Sequence, residues 1–143
     1  MRTKETTFYD VKVRYDKTFE DGSVRPTTET YVVEAFSFTE AEARITNEVI
    51  SCIDSYTQVI AEKIAPYKEV VFSDREKWFL CKVAIVLYNE SAGKEKRSCY
   101  SMLVQANTLG EAHDSIDEIM KSSVGYELVS VKETAIVDVF VNE

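Results

Sequence analysis

A single histidine, His113, bounds the acid–base and metal chemistry open to this chain of 143 residues. It falls in the first turns of a predicted helix, outside that helix's apolar stripe, where a solvated side chain is expected. No second histidine exists to share a metal with it, and Cys52, Cys81 and Cys99 show no CxxC spacing. Odd in number and set in apolar or strand-like stretches, the cysteines read as reduced thiols packing as small hydrophobes. A Cys99 nucleophile activated by His113 is a conceivable pair, and the structural reading is preferred over it. Carboxylates are plentiful, but Glu40 with Glu42, and Asp114 with Asp117 and Glu118, have the spacing of any solvated helix face, and no loop has the calcium pattern. Four glycines are too few for a phosphate cradle or a dinucleotide fingerprint. An unfamiliar carboxylate-only site is the remaining enzymatic alternative. The expectation is a protein that is not an enzyme, with no catalytic residues, no metal and no cofactor.

Binding chemistry is the wider possibility. Basic residues gather on predicted strands and hairpins, Lys12, Arg14, Lys17 and Arg25 early and Lys82, Lys94, Lys96 and Arg97 late, with Tyr15 and Tyr88 nearby. A sheet carrying cations and aromatic rings holds single-stranded nucleic acid by charge and stacking. The candidate contacts are Lys12, Arg14, Lys82, Lys94, Lys96 and Arg97. Against this, Asp10, Asp16, Glu90 and Glu95 dilute the patch, and the net charge of −8 with a pI near 4.8 repels phosphate at long range. Nucleic acid is therefore disfavoured as a partner.

The elements that carry these residues recur. Phe8–Val13 resembles Trp78–Val83, with paired aromatics leading into a β-rich run and a lysine at the same point. Tyr31–Ala41 resembles Met102–Ala112, and the pair Tyr56 and Val70-Val71-Phe72 resembles the pair Tyr126 and Asp138-Val139-Phe140 with a small gap. Tyr9, Val11, Val13 and Tyr15 alternate with polar residues as a strand with one wet face does, Asp21-Gly22 marks a turn, and Tyr31, Val33 and Ala35 form the return strand. Ser37 and Glu40 spell a capping box, repeated by Thr108 and Glu111. From these caps Ala41, Ile45, Val49 and Ile53, and then Ala112, Ile116 and Met120, form one apolar stripe per helix. Long β-rich segments follow, 57–72 and 127–141, the first of them broken near Pro66.

These observations predict an α+β fold made by tandem duplication of a β-β-α-β unit, with antiparallel sheets, one helix packed per repeat and pseudo-twofold symmetry. The whole chain, 1–143, is expected to form a single compact domain, with repeat 1 at 8–72, a linker at 73–77 and repeat 2 at 78–141. One strand departs from the symmetry: Trp78 to Tyr88 is apolar on nearly both faces, as strands buried from both sides are. Trp78, Leu80, Ala84, Val86 and Tyr88 are accordingly the candidate oligomer or repeat interface. Its register is left open, because the loop 89–94 permits more than one.

The lead strand, the helix start Phe38-Thr39-Glu40-Ala41-Glu42-Ala43-Arg44, and the stretch Gly93-Lys94-Glu95-Lys96-Arg97 followed by Met102-Leu103-Val104-Gln105-Ala106 carry a resemblance. They resemble a small-protein family of Bacteroidota genomes and their phages known as a domain of unknown function, number 4494. The resemblance implies a bacterial or phage intracellular setting and brings no catalytic residues. A polar start and the lack of a long apolar run agree with a cytoplasmic protein without a membrane partner. The functional expectation is a non-catalytic protein-interaction module, self-associating as a homodimer or docking on a basic host or phage protein. Single-stranded nucleic-acid binding is the alternative.

Overall fold

Alternation and capping build most of this molecule. The computed structural model describes residues 2–121 and 125–142. Its strands are β1 (Arg2–Glu5), β2 (Phe8–Thr18), β3 (Val24–Glu34), β4 (Thr57–Ile64), β5 (Glu69–Phe72), β6 (Lys77–Asn89), β7 (Lys94–Ala106), β8 (Tyr126–Glu133) and β9 (Ile136–Phe140). Two helices, α1 (Phe38–Glu48) and α2 (Leu109–Met120), complete an α+β fold that is mostly strand. No helix among the described residues is long and apolar enough to cross a membrane.

The chain divides into two compact units, and their boundaries differ from the blocks expected from sequence. One unit holds Met1–Glu5 and Pro66–Thr134, the other Thr6–Ala65 and Ala135–Glu143. The segment 73–77 thus lies inside one unit, and the chain passes between units at 5/6, 65/66 and 134/135. We call them the β6–β7 unit and the β2–β3 unit after their central hairpins.

The β2–β3 unit has a four-stranded sheet in the order β4-β2-β3-β9. Tyr9, Val11 and Val13 of β2 and Tyr31 and Val33 of β3 turn one face toward Ala41, Ile45 and Val49, which places α1 on that face. Ser37 Oγ accepts the Glu40 N–H over 3.1 Å, and the Glu40 carboxylate accepts the N–H of Phe36, one residue ahead of the cap. The helix ends sooner than its apolar stripe suggests. Val49 is its C-cap, a short 3₁₀ turn covers Ile50–Cys52, and Ile53 is already extended, although it still packs on the core. The end of the β9 segment is tied down by the Asn142 N–H donating to Glu34 Oε1 over 2.7 Å.

The β6–β7 unit has five strands in the order β1-β5-β7-β6-β8. Phe79, Cys81 and Val83, Met102 and Val104, and Val71 face Ala112, Ile116 and Met120, the stripe of α2. Burying an isoleucine such as Ile116 or Ile45 contributes about 1.5–3 kcal/mol, so each stripe seats its helix. Thr108 Oγ1 accepts the Glu111 N–H over 3.1 Å, but the Glu111 carboxylate reaches Arg75 at 2.7 Å rather than closing the cap. The capping box is therefore reciprocal in α1 and one-sided in α2.

The two units share details down to single residues. Where β2 pairs with β4, Lys12 faces Ala61 and Val13 faces Val59, leaving Ile60 as a bulge. Where β6 pairs with β8, Lys82 faces Ser130 and Val83 faces Leu128, leaving Val129 as a bulge. The long hairpin has the register Asn89↔Lys94, closed through Gly93 at φ 62°.

Three further features correct the sequence reading. The sheets are mixed rather than antiparallel, because β9 pairs parallel with β3 and β5 parallel with β7. Each of these strands follows a crossing between units, so it enters its sheet alongside rather than by a hairpin turn. The N-terminal residues form an edge strand, β1, on β5. Finally, Val71 faces Val104 as Phe140 faces Val33, so Val71, not Phe72, occupies the place that Phe140 holds.

Candidate functional site

The five residues expected at an interface do share one face of β6, but burial divides them. Trp78 is 2 % exposed and Ala84 fully buried, Leu80 and Val86 are half-buried, and Tyr88 is 64 % exposed. Trp78 is held edge-on to the Phe72 ring at 5.5 Å. The base of the strand is therefore core, and only its far end is available. β8 last pairs with β6 at Ile85↔Tyr126, whereas β6 and β7 remain paired to Asn89↔Lys94. Residues 86–89 and 94–97 thus continue as a two-stranded ribbon beyond the third strand. Leu87, 54 % exposed, and Tyr88 stand on its opposite faces.

The candidate nucleic-acid contacts are all exposed, but they do not form one set. Lys12 and Arg14 lie on the β2–β3 unit, on the sheet face away from α1. Lys82, Lys94, Lys96 and Arg97 belong to the β6–β7 unit, where Lys94 and Lys96 share a ribbon face with Leu87, and Arg97 shares the other with Tyr88. Arg97 is engaged by Glu127 at 3.0 Å, and Glu95 stands directly across from Tyr88.

The few chemically suggestive side chains are accounted for by local structure. His113 Nδ1 lies 3.1 Å from Asp117 Oδ2 one turn along α2. With Asp114 these residues place three ligand atoms within 4.8 Å of one another on an exposed helix face, and the Tyr126 hydroxyl donates to Asp117 Oδ1 over 2.9 Å. Cys81 is buried and its thiol is pushed up to about 11 by desolvation, the opposite of what a nucleophile needs. Cys52 and Cys99 are exposed. A cleft of about 660 Å³ in the β6–β7 unit has Arg2 stacked on Phe72 at 4.9 Å on one side and Glu111, Asp114 and Glu118 of α2 on the other.

A smaller notch of about 330 Å³ in the β2–β3 unit is lined by residues that the sequence reading placed in strands and the α1 stripe rather than in a site. Tyr15, Glu29 and Tyr31 come to it from the hairpin, Glu48 from the end of α1, and Asp138 and Phe140 from β9. The Tyr31 ring stacks on Phe140 with centroids 6.0 Å apart, and its hydroxyl donates to Glu29 Oε1 over 3.1 Å. Tyr15 interacts with the same carboxylate; burial first and Glu29 second push its phenol up to about 12. Burial and the Glu29 charge push Tyr31 up as well. Glu29 was legible in the sequence: it falls two residues before Tyr31 and four before Val33, so period-two alternation puts an acid on the core face of β3.

No curated protein and no solved structure matches this chain. Over residues 7–142 it matches one family, and it therefore belongs to the family described as a domain of unknown function (DUF4494).

Proposed function

We propose that the protein is a non-catalytic protein-interaction module of a bacterium or bacteriophage, built by tandem duplication of a β-β-α-β unit whose last strands are exchanged between the copies. The matched caps at Ser37 and Thr108, the matched bulges at Ile60 and Val129, and the identical placement of each helix on its hairpin support the duplication. On that reading β5 belongs by sequence to the first copy and β9 to the second, although each completes the other copy's sheet.

The observation that carries the interaction reading is the ribbon of β6 and β7, which keeps Leu87 and Tyr88 in solvent on paired strands. Large apolar and aromatic side chains held in place on a paired ribbon lose little conformational freedom when a partner covers them, which makes them effective anchors. Nucleic acid is the weaker reading, since Glu127 holds Arg97 and Glu95 adjoins Tyr88.

Affinity capture from the native cell tests this, with wild-type protein beside a Leu87→Ser/Tyr88→Ser variant. A protein enriched by the wild type and lost with a folded variant supports the proposal. Recovery of nucleic acid alone, or of the same proteins by both baits, refutes it.

A further inference from the structure

We propose that the notch of the β2–β3 unit binds the ammonium group of a lysine side chain presented by a basic polypeptide segment. The inference rests on the protein-interaction reading and names a chemical class of partner for it. Every charged side chain lining the notch is negative: Glu29, Glu48 and Asp138. The nearby cation Lys17 lies 3.9 Å from Glu29 Oε2, and among the described residues neither Glu48 nor Asp138 has a salt-bridge partner. Tyr15 and Phe140, the latter backed by the buried Tyr31 ring stacked on it, add aromatic surface, whose faces attract an alkylammonium. Val49 and Ile53 offer apolar surface to the methylene stem of the same side chain. Aliphatic floor, aromatic walls and acidic rim together match a lysine better than they match a bare ion. The carboxylates of the notch do not converge as metal ligands would; among the described residues, the group that does is on α2.

The β6–β7 unit shows that the fold does not require these residue types. Strand registers put Ile85 where the notch has Tyr15, Tyr100 where it has Glu29, and Met102 where it has Tyr31. Counting seven residues on from Ala41 and from Ala112, where the two apolar stripes begin, puts Ile119 where α1 has Glu48. There Ile85, Tyr100 and Ile119 simply pack against the core, and the Tyr100 hydroxyl meets Met120 Sδ at 3.0 Å. Among the acids only Asp138 keeps a counterpart, Glu69. One unit therefore fills most of this corner with hydrocarbon, keeping one phenol, Tyr100, and one acid, Glu69, whereas the other lines it with three acids and two phenols.

The probe is a short Gly-Ser peptide carrying two lysines, titrated at low salt and compared with the same peptide carrying norleucine. Wild type is expected to bind the lysine peptide and not the norleucine one. Glu48→Gln with Asp138→Asn is expected to weaken binding by about tenfold or more, whereas Glu20→Gln with Glu76→Gln, an equal change of net charge elsewhere, stays within about twofold. Should the double variant not fold, Glu48→Gln alone at the helix end is expected to give about a threefold loss. No binding by wild type, equal losses in both double variants, or equal binding of the norleucine peptide would overturn the proposal. The Leu87→Ser/Tyr88→Ser variant is expected to bind the peptide as wild type does, and a loss there would place the site elsewhere and also overturn it. Failure of the ribbon to select a protein partner in the capture experiment is read separately and leaves the notch measurement standing.

Discussion

Tyr31 and Glu29 stand two residues apart on the same face of β3, and the Tyr31 hydroxyl donates to Glu29 Oε1 over 3.1 Å. This couples a core-facing ring to a carboxylate and keeps the phenol protonated far into the alkaline range. Tyr15, raised to about 12, shares the carboxylate. The folded pKa values lie above the unfolded one, so the stability these two groups contribute is complete below pH 10 and is lost as pH rises toward 12 and beyond. Ultraviolet titration of the eight tyrosines should show a late-ionising component, and Tyr31→Phe should remove part of it. A titration curve unchanged by that substitution would show that the two groups are not coupled.

Glu62 of β4 carries the opposite lesson. Its pKa is raised by burial and then by the nearby Glu42 charge, and its Oε1 is buried without a hydrogen-bond partner. A carboxyl raised in the folded state favours folding below its unfolded pKa and opposes it above. Glu62→Gln is thus expected to raise the urea midpoint at pH 7 and to have no effect near pH 4. The comparison is one pair of denaturation curves at each pH.

The helix caps should differ in the same assay. Ser37→Ala and Thr108→Ala each remove the acceptor for an N–H three residues on, at a cost of about 1 kcal/mol. Ser37→Ala is expected to cost more, because Glu40 also accepts the Phe36 N–H and that turn loosens with the cap. Equal effects would mean that the second arm adds nothing.

Gly125 is tighter than its counterparts in the hairpin turns. It has φ 75°, and a Cβ there would lie 2.9 Å from the carbonyl oxygen of Val86, the first residue of the exposed ribbon. Gly22 has φ 84° but open space around it. Gly22→Ala is expected to cost about 1–2 kcal/mol from backbone conformation alone, and Gly125→Ala clearly more. Thermal unfolding of the two variants separates strain from collision.

Much of this was legible in the residues. Alternation located the strands of the first hairpin and their internal likeness those of the second, the Ser37 and Thr108 caps located both helix starts, and Ala112, Ile116 and Met120 gave the buried stripe of α2. Pro66 marked the break between β4 and β5. The parallel pairing of β9 with β3 was not legible, because it joins Thr30 to Ile136 and no local pattern specifies a partner so distant. β1 escaped notice because Arg2-Thr3-Lys4-Glu5 is polar throughout and gains its structure only from the edge of β5. Trp78 and Tyr88 share one face of β6, but alternation says nothing of where along a strand the solvent begins. Glu29 was readable as an inward acid, yet its meeting with Glu48, Asp138 and Phe140 depends on the unforeseen placement of β9.

The parallel pairing of β9 with β3 and of β5 with β7 has a consequence for synthesis. As the chain leaves the ribosome, β2, β3, α1 and β4 can assemble early, but the outer edge of β3 stays open until residues 136–140 have been made. More than half the chain must emerge before that ladder closes, a separation that favours slow folding. Meanwhile β5 waits for β7, so neither sheet matures by itself. Nascent chains halted before residue 136 should therefore remain sensitive to proteases and prone to pair with one another, and emergence of Ile136–Phe140 should bring protection to the β3 hydrogen bonds all at once.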